Sequence, residues 1–255
     1  MRALTRAIAG RDVPKQFRAM LGRDTLLRMT PRRVRFALDP ARTLTVVTRA
    51  HERFFSPMMA ELPHCRLLVQ PRNRGTATAL AYAAFHLAEL DHSASVAIFP
   101  SDHWFSDDAG FMRNVEMAFE TVAQFQDSTV ALGLAAERPE AGYGWFELGE
   151  RVVTRPAALF EVRRFWEKPP LQVTRELWRR GAQRNSFVLV SKLSALLDLI
   201  REALPQLYRA FYTVRPALAT LFEERTVESL YEDLASLDFS ERCWRARRKT
   251  WRCFR

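Results

Sequence analysis

Short β-branched or apolar runs recur along this chain, separated by longer amphipathic stretches, and no other feature restricts the fold as strongly. A strand followed by a helical stretch has room to cross over and return parallel. The pattern therefore predicts an α/β architecture, a mostly parallel sheet flanked by helices. Strands are expected at Leu44–Val47, Leu67–Gln70, Val96–Phe99, Val130–Leu134, Trp145–Leu148, Val162–Trp166 and Phe187–Val190. Several are apolar on both faces, as a sheet covered on two sides requires. Thr76–Leu90, with Leu80, Ala84, Leu87 and Ala88 on one face, and Phe111–Phe125 read as crossover helices. From Pro170 to Gly181, and again from Lys192 to Glu232, the period is helical with breaks at Pro205 and Pro216, so the last third is mostly α.

With 255 residues, 48% of them hydrophobic, the chain can bury a sizeable core. It shows no internal repeat and no low-complexity linker, so one domain is expected. No apolar run reaches the roughly 18 to 20 residues that cross a bilayer, and Arg2, Arg6 and Arg11 interrupt the N-terminal apolar pairs, so neither a membrane span nor a signal peptide is read. The expected address is the cytoplasm. Three cysteines make no disulfide framework and no metal-ligand pair, which suits a reducing compartment, and Cys65 reads as a core or strand-edge thiol.

The net charge of +10 raises the question of nucleic acid, since a basic face gains affinity by releasing counterions. Its distribution argues against that. Cys243 to Arg255 holds Arg245, Arg247, Arg248, Lys249, Arg252 and Arg255 with no acid, so this tail carries +6 and the remainder only +4. The tail, with two Trp and two Cys among its cations, fits neither an amphipathic helix nor a strand and reads like GC-rich DNA translated out of frame. Residues 1–242 are expected to form the domain, with 243–255 a non-homologous basic tail. At the other end, an α/β domain usually opens on a buried strand and this chain opens on an Arg-spaced polar stretch, so a first strand is expected upstream.

Four groups of residues carry chemistry. Pro14-Lys15-Gln16-Phe17, before Leu21-Gly22, places a Lys after a rigid Pro, where it could meet a phosphate or simply be a solvated surface Lys. In Gln70-Pro71-Arg72-Asn73-Arg74-Gly75-Thr76-Ala77-Thr78-Ala79 a strand end and a Gly turn enter a small-residue helix, which permits either close approach of backbone N–H groups to a ligand or tight helix packing. Ile98-Phe99-Pro100-Ser101-Asp102-His103 ends a buried strand in a carboxylate, a hard oxygen ligand where α/β sheets bind ligands, or else a turn cap. Adjacent Ser101, Asp102 and His103 are no catalytic triad, because a triad is assembled in space. His51, His64, His86 and His92 lack zinc spacing. The last group is Pro139-Glu140-Ala141-Gly142-Tyr143-Gly144-Trp145, Phe165-Trp166-Glu167-Lys168-Pro169 and Arg184-Asn185-Ser186-Phe187, readable singly as a turn, an ion pair and a strand start.

In this order, these motifs resemble the mannose-1-phosphate guanylyltransferase family of sugar-1-phosphate nucleotidyltransferases, from Leu4 to about Arg242. The resemblance implies a Rossmann-like, GT-A-like nucleotidyltransferase fold and transfer of a nucleotidyl group from an NTP, GTP by family, to mannose 1-phosphate. It implies that Lys15 touches the nucleotide phosphates, Asp102 binds catalytic Mg²⁺, and Arg74, Gly75 and Thr76 hold the base. Gly144, Glu167, Lys168 and Asn185 would hold the sugar phosphate. The implied partners are small-molecule substrates, with no nucleic acid and no membrane. The chain departs from the family in lacking its opening Gly-Thr-Arg loop and its downstream second metal-binding Asp, which puts turnover in doubt. Asn73 and Thr78 replace the usual Gly and Pro and leave the base open. The competing readings are a non-catalytic homologue that binds nucleotide or sugar phosphate, and a nucleic-acid module resting on the tail's charge alone.

Overall fold

A computed structural model describes residues 13–21, 24–59, 66–153, 158–244, 246 and 250–254. Gly22, Cys65, the arginines at 2, 6 and 11, and the tail cations Arg245, Arg247, Arg248, Lys249 and Arg255 lie outside the described residues. The chain divides into two compact units, Met1–Arg72 with Phe99–Glu116, and Asn73–Ile98 with Met117–Arg255, where the sequence pattern points to one domain. Each unit is assembled from two separate stretches, so no linker composition marks the division.

In the first unit, β1 (Ala19–Leu21) and β2 (Asp24–Thr25) form a small antiparallel pair that leads into α1 (Leu26–Val34). Thr25 caps α1, its hydroxyl accepting the Arg28 amide at 3.2 Å. β3 (Leu44–Thr48) runs on to α2 (Glu52–Met59) and then to β4 (Arg66–Gln70), which pairs parallel with β3. Leu27, Val47, Phe55 and Met58 close the core of this unit, with Phe17 and Val69 packed against them.

The second unit opens with α3 (Gly75–Leu90) and β5 (Ser95–Ile98). α4 (Asp108–Gln124) follows, and the chain passes back from the first unit within it. Then come β6 (Thr129–Leu134), β7 (Trp145–Val153), β8 (Leu159–Trp166), α5 (Leu171–Arg179) and β9 (Gln183–Lys192). The chain finishes through α6 (Leu193–Ala203), α7 (Pro205–Val214), α8 (Glu223–Asp233), α9 (Phe239–Cys243) and β10 (Trp251–Phe254). All seven sequence-predicted strands and both crossover helices are present. Pro205 opens α7, and Pro216 lies in the 3₁₀ turn Arg215–Ala217, where the helical run breaks. No described helix is long and apolar enough to cross a membrane.

Two expectations are corrected. The six-stranded sheet, in the order β5-β9-β6-β10-β8-β7, is mixed, but among the described residues only β6–β10 in it, and β3–β4 in the first unit, pair in parallel. The connection between β7 and β8 is too short for a crossover and makes an antiparallel hairpin. The tail also is not wholly outside the fold. Trp251–Phe254 runs between β6 and β8, with Trp251, Cys253 and Phe254 buried and the Trp244 ring tilted against that of Trp251 with centroids 3.9 Å apart. Arg252 lies on the face opposite Trp251 and Cys253, paired with Glu161 at 3.5 Å and 4.9 Å from the centre of the Phe125 ring. Four residues among cations carry too little periodicity to read as a strand; sheet partners on both sides supply what the pattern lacks.

Candidate active site

In the first unit, the Lys15–Phe17 turn is fixed at both ends. Pro14 sets its entry at φ −58°, and the Phe17 ring stacks on Phe54 at 5.3 Å and meets His51 edge-on at 5.5 Å. The chain beyond β5 brings Asp102 to this turn, where its Oδ2 lies 3.5 Å from Lys15 Nζ. Both side chains are about one-third exposed or less, at 34% and 27%. An ion pair open to water contributes about 0–1 kcal/mol, so the fold does not depend on it and the two charges remain available to a ligand.

The segment after Asp102 is held by a residue that the sequence reading missed. Arg33 is 1% exposed; its Nε donates to Asp108 at 2.5 Å and its Nη2 to the His103 carbonyl at 3.3 Å. Its guanidinium also sits 4.7 Å from the centre of the Phe105 ring, itself stacked on Phe111. Position 33 falls with Leu26 and Thr30 on the buried face of α1, and a cation on an apolar stripe was the signal available. Burial lowers the pKa of His103 most, with Lys15 and Arg33 adding to the effect and Asp102 opposing it. No group of three or more metal-ligating side chains occurs among the described residues.

The second unit brings Gly144, Glu167, Lys168 and Asn185 together. Asn185 donates its amide to the Gly144 carbonyl at 2.8 Å, and a Cβ on Gly144 would lie 2.6 Å from the Phe165 ring and 3.3 Å from Glu167 Oε2. A side chain at this position would have to displace the Phe165 ring. Lys168 Nζ pairs with Glu167 at 2.9 Å, and this hydrogen bond is the main reason its pKa is raised; the charges of Glu167, Asp238 and Glu241 assist. Lys168 and Phe187 adopt left-handed backbone at φ 41° and 58°, a conformation that side chains disfavour. Asn185 Oδ1 accepts the Phe187 amide at 2.8 Å, and Ser186 Oγ bridges the Leu132 carbonyl and the Val188 amide, so this irregular step of β9 is locked locally. Glu140 accepts Arg138 and Arg184; the Arg138 hydrogen bond holds its carboxyl below the usual range.

Arg74, Gly75 and Thr76 face a different neighbour. Arg74 donates to the carbonyls of Tyr231 and Glu232, Thr76 Oγ1 meets Asp238 Oδ2 at 3.3 Å, and a Cβ on Gly75 would collide with the Leu237 carbonyl oxygen. The side chains of Arg74 and Thr76 are thus bonded to the chain's own 231–239 segment, and the Gly75 amide donates to Asn73 Oδ1 at 3.0 Å.

The chain belongs to the nucleotidyl transferase family, whose profile matches residues 4–198. It is 30% identical over 199 residues to the alginate biosynthesis protein AlgA of Pseudomonas aeruginosa, covering 76% of this chain and 40% of that relative. It is 27% identical to mannose-1-phosphate guanylyltransferase 2 of Escherichia coli O157:H7, covering 76% and 42%. The mannose-1-phosphate geranyltransferase of Thermus thermophilus superposes with a TM-score of 0.82 at 26% identity, covering 94% of this chain and 67% of that one. The chain thus spans about two fifths of the length of the curated relatives that it matches.

Proposed function

We propose that this chain is a sugar-1-phosphate nucleotidyltransferase, acting in the cytoplasm on GTP and mannose 1-phosphate to give GDP-mannose and pyrophosphate. In the reaction a phosphate oxygen of the sugar phosphate forms a bond to the α-phosphorus of the NTP, and the bond from that phosphorus to the pyrophosphate oxygen breaks. No protein nucleophile is needed. Several negative charges must be brought together, so the protein's part is to position and neutralise them. The observation that carries the reading is the Lys15–Asp102 pair, whose residues lie far apart in the sequence and meet at 3.5 Å within a family match covering most of the chain.

Lys15 is the cation for the nucleotide phosphates. Asp102 would hold Mg²⁺, an ion commonly bound by one or two carboxylates plus substrate phosphates, and a single part-exposed carboxylate suits that donor set. When bound, the ion would draw charge from the phosphate oxygens. Gly144 lets Phe165 and Glu167 pack close, Lys168 offers a cation to the sugar phosphate, and Glu167 and Asn185 supply the polar contacts to the sugar. Arg74 and Thr76 are engaged by residues 231–239 and the Gly75 amide by Asn73 Oδ1, so we carry no base-binding role forward for these three.

The test is to incubate the chain with Mg²⁺, mannose 1-phosphate and each of the four NTPs, following pyrophosphate release and the nucleotide sugar. Product from GTP that disappears with EDTA and returns with Mg²⁺ supports the reading. Binding of both substrates with no product from any NTP would favour a homologue that binds without turnover, a second reading to which the internal commitment of the Arg74–Thr76 turn lends weight.

A further inference from the structure

The 231–239 segment is fastened to the start of α3 by main-chain bonds as well as by the side chains already described. The Leu237 amide donates to the Arg74 carbonyl at 3.0 Å and the Ala77 amide to the Leu237 carbonyl at 3.1 Å. Thr76 Oγ1 sits at the centre of the contact, accepting the Phe239 amide at 2.8 Å while donating to Asp238 Oδ2. The other oxygen of Asp238 accepts the amides of Ser240 and Glu241 at 2.8 and 3.2 Å, so the carboxylate is held at both ends.

This segment also reaches the residues read as the sugar-phosphate site. The Phe239 ring meets the Phe187 ring edge-on at 6.0 Å, and the Phe187 amide is the one held by Asn185 Oδ1. Asp238 and Glu241 contribute to the field that favours the charged form of Lys168. A continuous path of bonds and ring contact therefore runs from Thr76 through Asp238 and Phe239 to Phe187 and Asn185.

We propose that Asp238, held by the Arg74–Thr76 turn, is a positioning residue for the Lys168 and Asn185 subsite, so that the turn acts on the sugar phosphate and not through direct contact with the nucleotide. The inference rests on reading that subsite as the sugar-phosphate site. Its physical content is twofold: Asp238 fixes the ring that packs against Phe187 in β9, and its charge adds to the field at Lys168 behind that of Glu167.

Thr76→Val, Thr76→Ser and Asp238→Asn in the full chain test it by calorimetric titration with mannose 1-phosphate and, separately, with GTP. The pH profile of Lys168 labelling by an amine-reactive reagent, read by mass spectrometry, is measured alongside. Thr76→Val and Asp238→Asn are expected to weaken mannose 1-phosphate binding on the order of tenfold while GTP stays within about twofold, the scale of one charge-assisted hydrogen bond. Asp238→Asn should also move the Lys168 labelling profile to lower pH, and Thr76→Ser should restore the parent behaviour. Loss of GTP affinity with sugar-phosphate affinity intact, or an unchanged Lys168 profile in Asp238→Asn, would overturn the proposal. If the parent chain binds no sugar phosphate, the site reading falls by itself and the Lys168 profile alone decides the positioning role.

Discussion

Lys15 and Asp102 do little for the fold, which makes them useful probes of the chemistry. Lys15→Ala and Asp102→Asn should each lower kcat/KM for pyrophosphate release by on the order of 10²-fold, the cost of removing one preorganised charge from a developing transition state. Thermal midpoints should hardly move, because the pair is part-exposed. Activity of either variant within threefold of the parent would remove that residue from the mechanism. Both were legible in sequence, since a strand ending in a carboxylate and a Lys after Pro carry local signatures. Arg33 was not: its meaning comes from Asp108, His103 and Phe105, brought to it only by folding. Arg33→Met leaves Asp108 without its cation and should cost about 3 kcal/mol in urea unfolding, the lower part of the range for a broken buried pair, since Asp108 keeps some contact with water. A loss below about 0.5 kcal/mol would show that the buried guanidinium is replaceable by apolar volume alone.

Elements whose side chains repeat with a clear period were the legible ones, and α3 and β6 appear within a residue or two of their predicted ends. β10 stayed hidden because its strand character comes from two neighbours and from burial of Trp251, features no four-residue window contains. Trp251→Ala should therefore cost about 3–5 kcal/mol, as for other fully buried aromatic truncations. A loss under about 1 kcal/mol in equilibrium unfolding would mean that the strand is not integral to the sheet. The start of α3 shows the reverse case. A Gly turn was plain in the sequence, but its reason, the Leu237 carbonyl oxygen pressed against the place where a Cβ would stand, was not. Gly75→Ala combines that clash with a φ of +84°, so it should destabilise by more than about 1 kcal/mol and free residues 231–239 to faster amide hydrogen exchange. Unchanged exchange there would refute the clash.

At the scale of the whole molecule, the division into two units escaped the sequence because each unit is made of two stretches joined without linkers. The second unit buries two thiols, Cys243 and Cys253, both pushed up to about 12 by loss of water around the charged form. An unfolded thiol titrates near about 8.5. Because the folded pKa lies above the unfolded one, the native chain holds these protons more tightly, and this contribution to stability is fully present below about pH 8.5. It declines as pH rises towards 12, by on the order of 1 kcal/mol per pH unit for each thiol. Tyr82 and Tyr231, also raised by burial, add a decline of the same sign above about pH 10, so the cysteines are isolated between about 8.5 and 10. In that window the urea midpoint of the parent should fall with pH, and the fall should be halved in Cys253→Ala, whose removed thiol can no longer titrate in the unfolded chain. Both thiols should resist alkylation at about pH 8 until denaturant is added, since buried, protonated sulfur is a poor nucleophile. A flat midpoint from about pH 8 to 10, or rapid native-state labelling of Cys253, would show that the sheet around β10 admits water and that the strand's burial is not maintained in solution.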